Sequence, residues 1–329
     1  MSASKNTSIR LQIFSLVLSA GLFATTHSEV AAQNSLRSRD EKKIDKASTV
    51  TSGGGKAEAS GEASAKAADT SSWSAKENDA EASFVGGSYT EAERQWKEAL
   101  SIAEKASNKL NVAETLNQMT HLYIRQKRLD EARSSLQSAL AIRQKELGSN
   151  SEKTAETLGN LALVEHKSGH DLEAEKLYKE VIDIKRKAGS QISLAITLTN
   201  LGNLYGEMLR IEDAKLLYSE ALAIDEKAYG KDHKEVAQDL FNLGALLYHH
   251  NYNKEAIEFF EKSLIVFAKI NDIQGRIKCL HYLGLCHAEE KSHDKAIDYY
   301  KQALVLHSQL KGDKHPDTFV HQLNLARSL

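Results

Sequence analysis

Residues 158–184 read LGNLALVEHKSGHDLEAEKLYKEVIDI, and residues 198–224 follow the same pattern forty positions later as LTNLGNLYGEMLRIEDAKLLYSEALAI. Each stretch contains an Asn-Leu-small triplet, then an acidic residue followed by an alanine (Ala174 or Ala214), then a tyrosine four positions after that alanine. Apolar residues recur every three or four positions in both halves of each stretch, which is typical of one face of an α-helix. These stretches therefore predict a pair of amphipathic helices that repeats along the chain.

The pattern recurs six times between residues 74 and 329. The alanines are spaced 40, 42, 40, 42 and 40 residues apart, at Ala92, Ala132, Ala174, Ala214, Ala256 and Ala296. Twelve positions before each alanine stands a small residue, namely Ala80, Thr120, Ala162, Gly202, Gly244 and Gly284. Small residues let two helices approach closely, so we expect each pair to cross there. The alternating spacing indicates a duplicated unit of two repeats, with chance variation in loop length as the alternative.

The composition favours a helical protein and excludes several classes of function. The 329 residues include one proline, 18 glycines and 6% aromatic residues, which argues against a turn-rich β fold. The 43 basic and 45 acidic residues nearly cancel, so the sequence predicts no nucleic-acid partner. Cys279 and Cys286 are the two cysteines of the sequence, and two cysteines exclude a disulfide scaffold.

The order of residues in each pair resembles the tetratricopeptide repeat, which has leucine, a small residue and tyrosine on its first helix, then alanine and an aromatic residue on its second. Residues 229–233 (YGKDH), ahead of an Asn-Leu-small helix, resemble the repeat of the kinesin light chain, which has about 42 residues. The resemblance covers residues 74–329. It implies an all-α fold, a right-handed α-solenoid of about six helix pairs with a C-terminal capping helix over residues 319–329. The period and the missing late proline depart from the common repeat of about 34 residues.

The first 73 residues predict an export signal and a linker. Lys5 and Arg10 precede an apolar run over residues 11–24, and small residues follow up to Ala32, as in a secretory signal peptide over residues 1–32. We therefore expect export to the periplasm or outside the cell, with a membrane-associated, uncleaved signal as the alternative. The apolar run is too short for a stable membrane span. Residues 33–73 are rich in Ser, Ala, Gly and Lys, which predicts a disordered linker.

A column of polar residues provides the candidate binding site. Two positions before the small residue of the first helix stand Gln118, Asn160, Asn200 and Asn242. In the family that the sequence resembles, first helices line a concave groove, and an asparagine ladder in this column grips an extended peptide. A carboxamide suits this role because it donates and accepts hydrogen bonds. Solvated asparagines inherited by duplication are the alternative. The neighbouring positions that we expect to set specificity are Asn117, His121, Arg125, Lys167 and Asn203, with Arg125 and Lys167 forming a basic end.

The sequence contains no catalytic motif of the common kinds. It lacks a Gly-rich phosphate loop that opens a helix, a His-Glu-x-x-His motif and a Gly-x-Ser-x-Gly motif. We therefore predict a non-enzymatic scaffold that binds a protein or peptide partner, without a metal or cofactor. Two alternatives stay open. One is a structural protein that self-associates through its convex face or its terminal caps, and the other is a regulatory subunit of an envelope complex.

Overall fold

The computed structural model describes residues 61–312 and 316–328, which contain thirteen α-helices and no β-strand. In chain order the helices are α1 (Gly61–Val85), α2 (Tyr89–Lys105), α3 (Lys109–Arg125), α4 (Leu129–Leu147), α5 (Glu152–Lys167), α6 (Asp171–Ala188), α7 (Gln191–Glu207), α8 (Ile211–Tyr229), α9 (Lys234–His249), α10 (Asn253–Lys269), α11 (Ile273–Glu289), α12 (His293–Lys311) and α13 (Pro316–Ser328). Each predicted repeat corresponds to two consecutive helices, so the predicted all-α fold of stacked helix pairs is confirmed.

The described helices fall into two compact units, residues 61–197 and residues 198–328, with the boundary inside α7. In the first unit, α1 packs on α2, α3 on α4 and α5 on α6. Successive first helices also touch there, since α3 contacts both α1 and α5. In the second unit, α9 packs on α10 and α11 on α12, while α13 packs on α12 where the sequence predicts a terminal helix. Each unit is therefore a stack of helix pairs.

The predicted crossing positions meet in the helix pairs of the second unit. A Cβ atom added at Gly244 would lie 2.8 Å from Cε1 of Phe260, and one added at Gly284 would lie 2.5 Å from Cε1 of Tyr300. Both rings are buried. The ring of each second helix thus occupies the space that a side chain on the first helix would need. Small residues are required at these positions because the helices approach so closely.

We expect Gly284→Ala and Gly159→Ala to change stability in opposite directions. The alanine at position 284 would press on Tyr300 and lower the free energy of unfolding by about 1–3 kcal/mol. Gly159 lies within α5, and no atom lies within 4 Å of a Cβ added there. Alanine at position 159 is therefore expected to raise the free energy of unfolding by about 0.5–1 kcal/mol. Urea unfolding of the full chain, followed by circular dichroism, measures both. Stabilisation by both substitutions would contradict the close packing.

The two lengths of connection between repeats differ in backbone conformation. The longer connections each begin with a glycine at φ between +84° and +88° and ψ near 160°, namely Gly148, Gly230 and Gly312. The shorter connections each hold a residue at φ between +53° and +77°, namely Ser107, Gly189 and Asn271. Members of each set lie 82 residues apart. The backbone therefore repeats with the same two-repeat period as the sequence.

The N-terminal helix begins earlier than the predicted solenoid. α1 starts at Gly61, so it covers the end of the segment 33–73 that composition predicts as a linker. Trp73 fixes this helix to the next repeat, because its Nε1 donates to Oγ1 of Thr115 on α3 at 2.9 Å. The predicted signal peptide (residues 1–32) and the rest of the linker lie outside the described residues, so both stay predictions. No helix in the described part of the chain is long and apolar enough to span a membrane.

Candidate functional site

The first unit brings two predicted site residues into direct contact on adjacent first helices. Asn160 on α5 donates from Nδ2 to Oδ1 of Asn117 on α3 at 3.2 Å. Asn117 is 0% exposed, whereas Asn160 is half-buried. The bond therefore places one half-buried and one buried carboxamide side by side between α3 and α5, and it uses one of the two donors of Asn160.

Two polar atoms on α3 are buried without a hydrogen-bond partner among the described residues. They are Nδ2 of Asn117 and Nδ1 of His121, and the two residues lie one helical turn apart on the same face. Burial lowers the pKa of His121, although Glu81 and Glu156 oppose this shift, so the ring is neutral near pH 7. A buried polar group without a partner costs about 1–3 kcal/mol, so each such atom is a candidate contact for a ligand.

The carboxylate of Glu77 joins α1 to α2 and α3. Glu77 on α1 accepts hydrogen bonds from Oγ1 of Thr115 and, at 3.2 Å, from Nε1 of Trp96. Burial, with a smaller contribution from the negative charges of Glu114 and Glu81, raises the pKa of Glu77 to about 7. The surroundings of Glu77 are therefore short of positive charge, and its carboxyl group is partly protonated at neutral pH.

Glu114 has the opposite environment. It accepts hydrogen bonds from Nη2 of Arg143 at 2.7 Å and from Nζ of Lys153 at 2.9 Å. Burial works against ionisation, but Lys153 and Arg143 together lower the pKa of Glu114 to about 2. Gln118, which the sequence places in the ladder, donates to Glu114 on its own helix at 3.2 Å. Gln118 thus supports this ion-pair network.

Arg143 belongs to a buried column that the sequence analysis missed. The side chains eleven positions after each alanine are all buried, namely Ala103, Arg143, Lys185, Asp225, Phe267 and His307. Arg143 donates to Oγ1 of Thr157 at 2.6 Å, and Lys185 donates to Oγ1 of Thr197 at 2.9 Å. These bonds join the second helix of one repeat to the first helix of the next. Charged residues at a position that lies on the apolar face of the second helix are the signal that could have revealed them.

Arg125 and Lys167 lie in the last turns of α3 and α5. Arg125 is exposed, and its Nε donates to Oη of Tyr89 on α2 at 3.0 Å. Its guanidinium group lies 5.8 Å from the centre of the Tyr89 ring. Lys167 is half-buried at the end of α5.

In the second unit the predicted site residues have mixed surroundings. Asn242 accepts at Oδ1 from Nε2 of Gln238, one turn earlier on α9, at 2.9 Å. Asn203 accepts a hydrogen bond from the hydroxyl of Tyr218, so it ties α7 to α8. Asn200 is half-buried on α7. The ladder position on α11 holds Tyr282, whose ring packs edge-on against neighbouring aromatic rings. The asparagine column therefore gives way to an aromatic cluster on α11.

Within residues 61–312 and 316–328, no group of three His, Cys, Asp or Glu side chains is placed to hold a metal ion. His170 forms a hydrogen bond with Glu165, and its Nδ1 lies 2.6 Å from Oε2 of that carboxylate. Both cysteines are free and buried. Burial raises the pKa of the Cys279 thiol to about 12, so this thiol is not a ready nucleophile at neutral pH.

The family model of the tetratricopeptide repeat matches residues 111–187, 193–267 and 277–329. The chain belongs to the tetratricopeptide repeat family. Proteins of this family generally mediate protein–protein interactions. This chain shows the structural features of that family. They are stacked helix pairs, small residues at the helix crossings, and aromatic rings packed against those small residues.

Solved structures and curated proteins provide further likenesses. The structure is similar to that of a kinesin light chain-like repeat protein from Podosopora anserina (TM-score 0.54, 19% identity, 60% of this chain and 96% of that chain). It is also similar to a signal-transduction ATPase of Pyrococcus horikoshii with a tetratricopeptide repeat sensor (TM-score 0.64, 21% identity, 77% of this chain and 38% of that chain). These likenesses show the fold, and the predicted resemblance to repeats of the kinesin light chain type is confirmed.

Among curated proteins, the clustered mitochondria protein homolog of Ajellomyces capsulatus (strain NAm1 / WU24) is 28% identical over 149 residues. The match includes 44% of this chain and 12% of that protein. The chain therefore spans about one eighth of the length of this relative.

Proposed function

We propose that the protein is an exported, non-enzymatic scaffold that binds an extended peptide segment of a protein partner on the exposed face of its first helices. The observation that carries the proposal is the Asn160–Asn117 pair, which sets two carboxamides side by side and leaves the buried Nδ2 of Asn117 without an acceptor. An extended peptide offers a row of backbone carbonyl and N–H groups, which are the partners that carboxamides bind.

The repeated register of the asparagines supports the same function in both units. Asn200 and Asn242 occupy the position of Asn160 in later repeats, and both are half-buried on first helices. Each hydrogen bond between a carboxamide and a peptide backbone contributes about 0.5–1.5 kcal/mol. Several such bonds support affinities in the micromolar range when side chains of the peptide add contacts. The proposed export rests on the signal-like pattern of residues 1–32.

The triple variant Asn160→Ala, Asn200→Ala, Asn242→Ala tests this function. A partner is first identified by cross-linking to the full chain in the exported fraction, and its affinity is then measured by calorimetry. Loss of three hydrogen bonds of about 1 kcal/mol each is expected to weaken binding at least tenfold. The matched control replaces three exposed carboxamides, Gln144→Ala, Gln191→Ala and Gln274→Ala, and is expected to bind normally. Unchanged affinity of a folded triple variant would refute the use of this face.

Self-association is the second candidate function, and exposed leucines favour it. Leu172, Leu209 and Leu216 are 77%, 73% and 70% exposed, so burial of these apolar side chains in an interface would be favourable. If they mediate assembly, the sedimentation coefficient of the full chain should rise with concentration. The variant Leu172→Ser, Leu209→Ser, Leu216→Ser should then sediment as a monomer. A concentration-independent monomer in the unmodified protein would exclude this candidate.

A further inference from the structure

Gly159, in the middle of α5, differs from the other glycines inside helices α2–α12. At each of those, an added Cβ atom would lie 3.3 Å or less from a side-chain atom, namely at Gly202, Gly206, Gly244, Gly275 and Gly284. Outside the neighbouring backbone of α5, no atom lies within 4 Å of a Cβ added at Gly159. A glycine inside a helix lowers stability relative to alanine, and at Gly159 no packing contact explains this cost.

The same position of four other first helices carries a buried side chain. Fifteen positions before the repeat alanine, α3, α7, α9 and α11 hold Asn117, Thr199, Phe241 and His281, which are all buried. Gly159 occupies this position in α5 and is half-buried. The helix α5 therefore presents bare backbone at a position where these four helices present a side chain.

Asn160, the next residue, has hydrogen-bonding groups that the described residues do not use. Its side chain forms one hydrogen bond there, from Nδ2 to Oδ1 of Asn117 at 3.2 Å. A carboxamide has two N–H donors and one acceptor oxygen, so the second N–H and Oδ1 of Asn160 are available to a ligand. The bond to Asn117 also fixes the orientation of this carboxamide.

The carboxamide of Asn117 gives an independent sign of a missing acceptor. Asn117 is 0% exposed, and its Nδ2 has no hydrogen-bond partner among the described residues. Because Oδ1 of the same carboxamide accepts from Asn160, this donor lies close to the residue that follows Gly159. Buried polar groups usually have partners, so this part of the first unit suits a ligand that brings a hydrogen-bond acceptor.

The available groups of Asn160 match a peptide main chain better than an ion. Each residue of a main chain offers a C=O acceptor and an N–H donor, which fit the free N–H and Oδ1 of Asn160. A metal ion would use the oxygen alone, and a carboxylate would use the donor alone. The asparagine side chain is short, so a main chain that it binds has to pass close to the helix. A glycine permits this close approach, since no Cβ atom intervenes.

We infer that the main chain of the bound peptide lies against α5 at Gly159, where one peptide residue donates its N–H to Oδ1 of Asn160 and accepts at its C=O from Nδ2 of Asn160. The inference rests on the proposed function and places its strongest contact in the third repeat. Asn117 is a positioning residue that holds the carboxamide of Asn160. Asn242 lacks this arrangement, because its Oδ1 already accepts from Gln238 and the buried Phe241 precedes it.

Random linear peptides displayed on phage provide the probe, after selection on the immobilised full chain. The most enriched peptide is synthesised with capped ends, and its affinity is measured by calorimetry. Gly159→Ala is expected to weaken binding about tenfold although it stabilises the helix, so unfolding cannot explain the loss. The control Ser134→Ala also favours its helix, at an exposed position of α4, and should bind normally. Unchanged binding to Gly159→Ala, or enrichment of no peptide, would overturn the inference.

Single asparagine variants test the two hydrogen bonds. Asn160→Ala is expected to weaken binding of the same peptide about tenfold, and Asn242→Ala to leave it nearly unchanged. Methylating the peptide nitrogens one at a time should reveal one position at which the loss is large in the unmodified protein and small in Asn160→Ala. Both changes remove the same hydrogen bond, so their effects are not additive. Equal losses in the Asn160 and Asn242 variants would contradict the inference.

Failure of this inference can be told apart from failure of the proposed function. If the triple variant of Asn160, Asn200 and Asn242 loses the cross-linked partner while Gly159→Ala binds that partner normally, the close approach at Gly159 is wrong and the proposed function stands. If the triple variant also keeps its partner, both proposals fail.

Discussion

Arg143→Met is expected to lower the free energy of unfolding by about 3–5 kcal/mol, as for other buried ion pairs that lose one partner. The guanidinium group is 2% exposed and donates to the backbone carbonyl of Lys153, to Thr157 and to Glu114. Methionine fills a similar volume but removes one donor from each of these acceptors and the buried positive charge that pairs with Glu114. Thermal and urea unfolding of the full chain, followed by circular dichroism, measure the effect.

Arg94→Met is the matched control for this prediction. Arg94 is an exposed residue of α2, and it pairs with Glu91 and Glu98 on its own helix. Exposed pairs of this kind contribute about 0–1 kcal/mol, because water and salt screen them. We therefore expect little change in stability. Similar losses of unfolding free energy in both variants would show that burial of Arg143 does not account for the effect of its substitution.

Glu77→Gln is expected to stabilise the protein at alkaline pH and to have little effect at acidic pH. The pKa of Glu77 is raised by burial from 4.5 to about 7 in the folded protein, so the folded state holds this proton more tightly than the unfolded state. Below about pH 4.5 the carboxyl group is neutral in both states. Stability is lost as pH rises from about 4.5 through 7, and the loss reaches about 2–3 kcal/mol above that range.

Glutamine removes this titration and keeps a carbonyl oxygen that can accept from Trp96. The free energy of unfolding of Glu77→Gln should therefore exceed that of the unmodified protein by about 2–3 kcal/mol at pH 8 and by little at pH 4. Glu104→Gln, at an exposed position of α2, is the control and should differ little at either pH. A difference that is the same at both pH values would exclude ionisation of Glu77 as its cause.

The sequence is sufficient to predict the fold because the repeated residues include those that pack the two helices of each pair against each other. Gly244 and Gly284 mark the close approaches, and Phe260 and Tyr300 mark the rings that cover them. The boundary of the first helix is less predictable. A low-complexity composition suggests a linker, whereas Trp73 and Glu77 tie the helix to α2 and α3.

The candidate site is only partly predictable, since its hydrogen bonds join residues that are distant in sequence. Asn117 and Asn160 both follow from the repeat, but their mutual bond depends on how α3 and α5 pack. Arg143 reaches Glu114 across 29 positions, and no local pattern reports such a pairing. Arg125 shows the same limit, because its position on α3 follows from the repeat but its hydrogen bond to Tyr89 on α2 does not.

The alternation of two connection types has a consequence for recombination. Excising residues 149–230 would join Gly148 to Lys231, which restores a glycine followed by two residues and a capping side chain, now His233 in place of Ser151. Excising a single helix pair would instead join the first residues of one type of connection to the last residues of the other type. Genes for chains of this kind can therefore be shortened or lengthened most readily in cassettes of two hairpins.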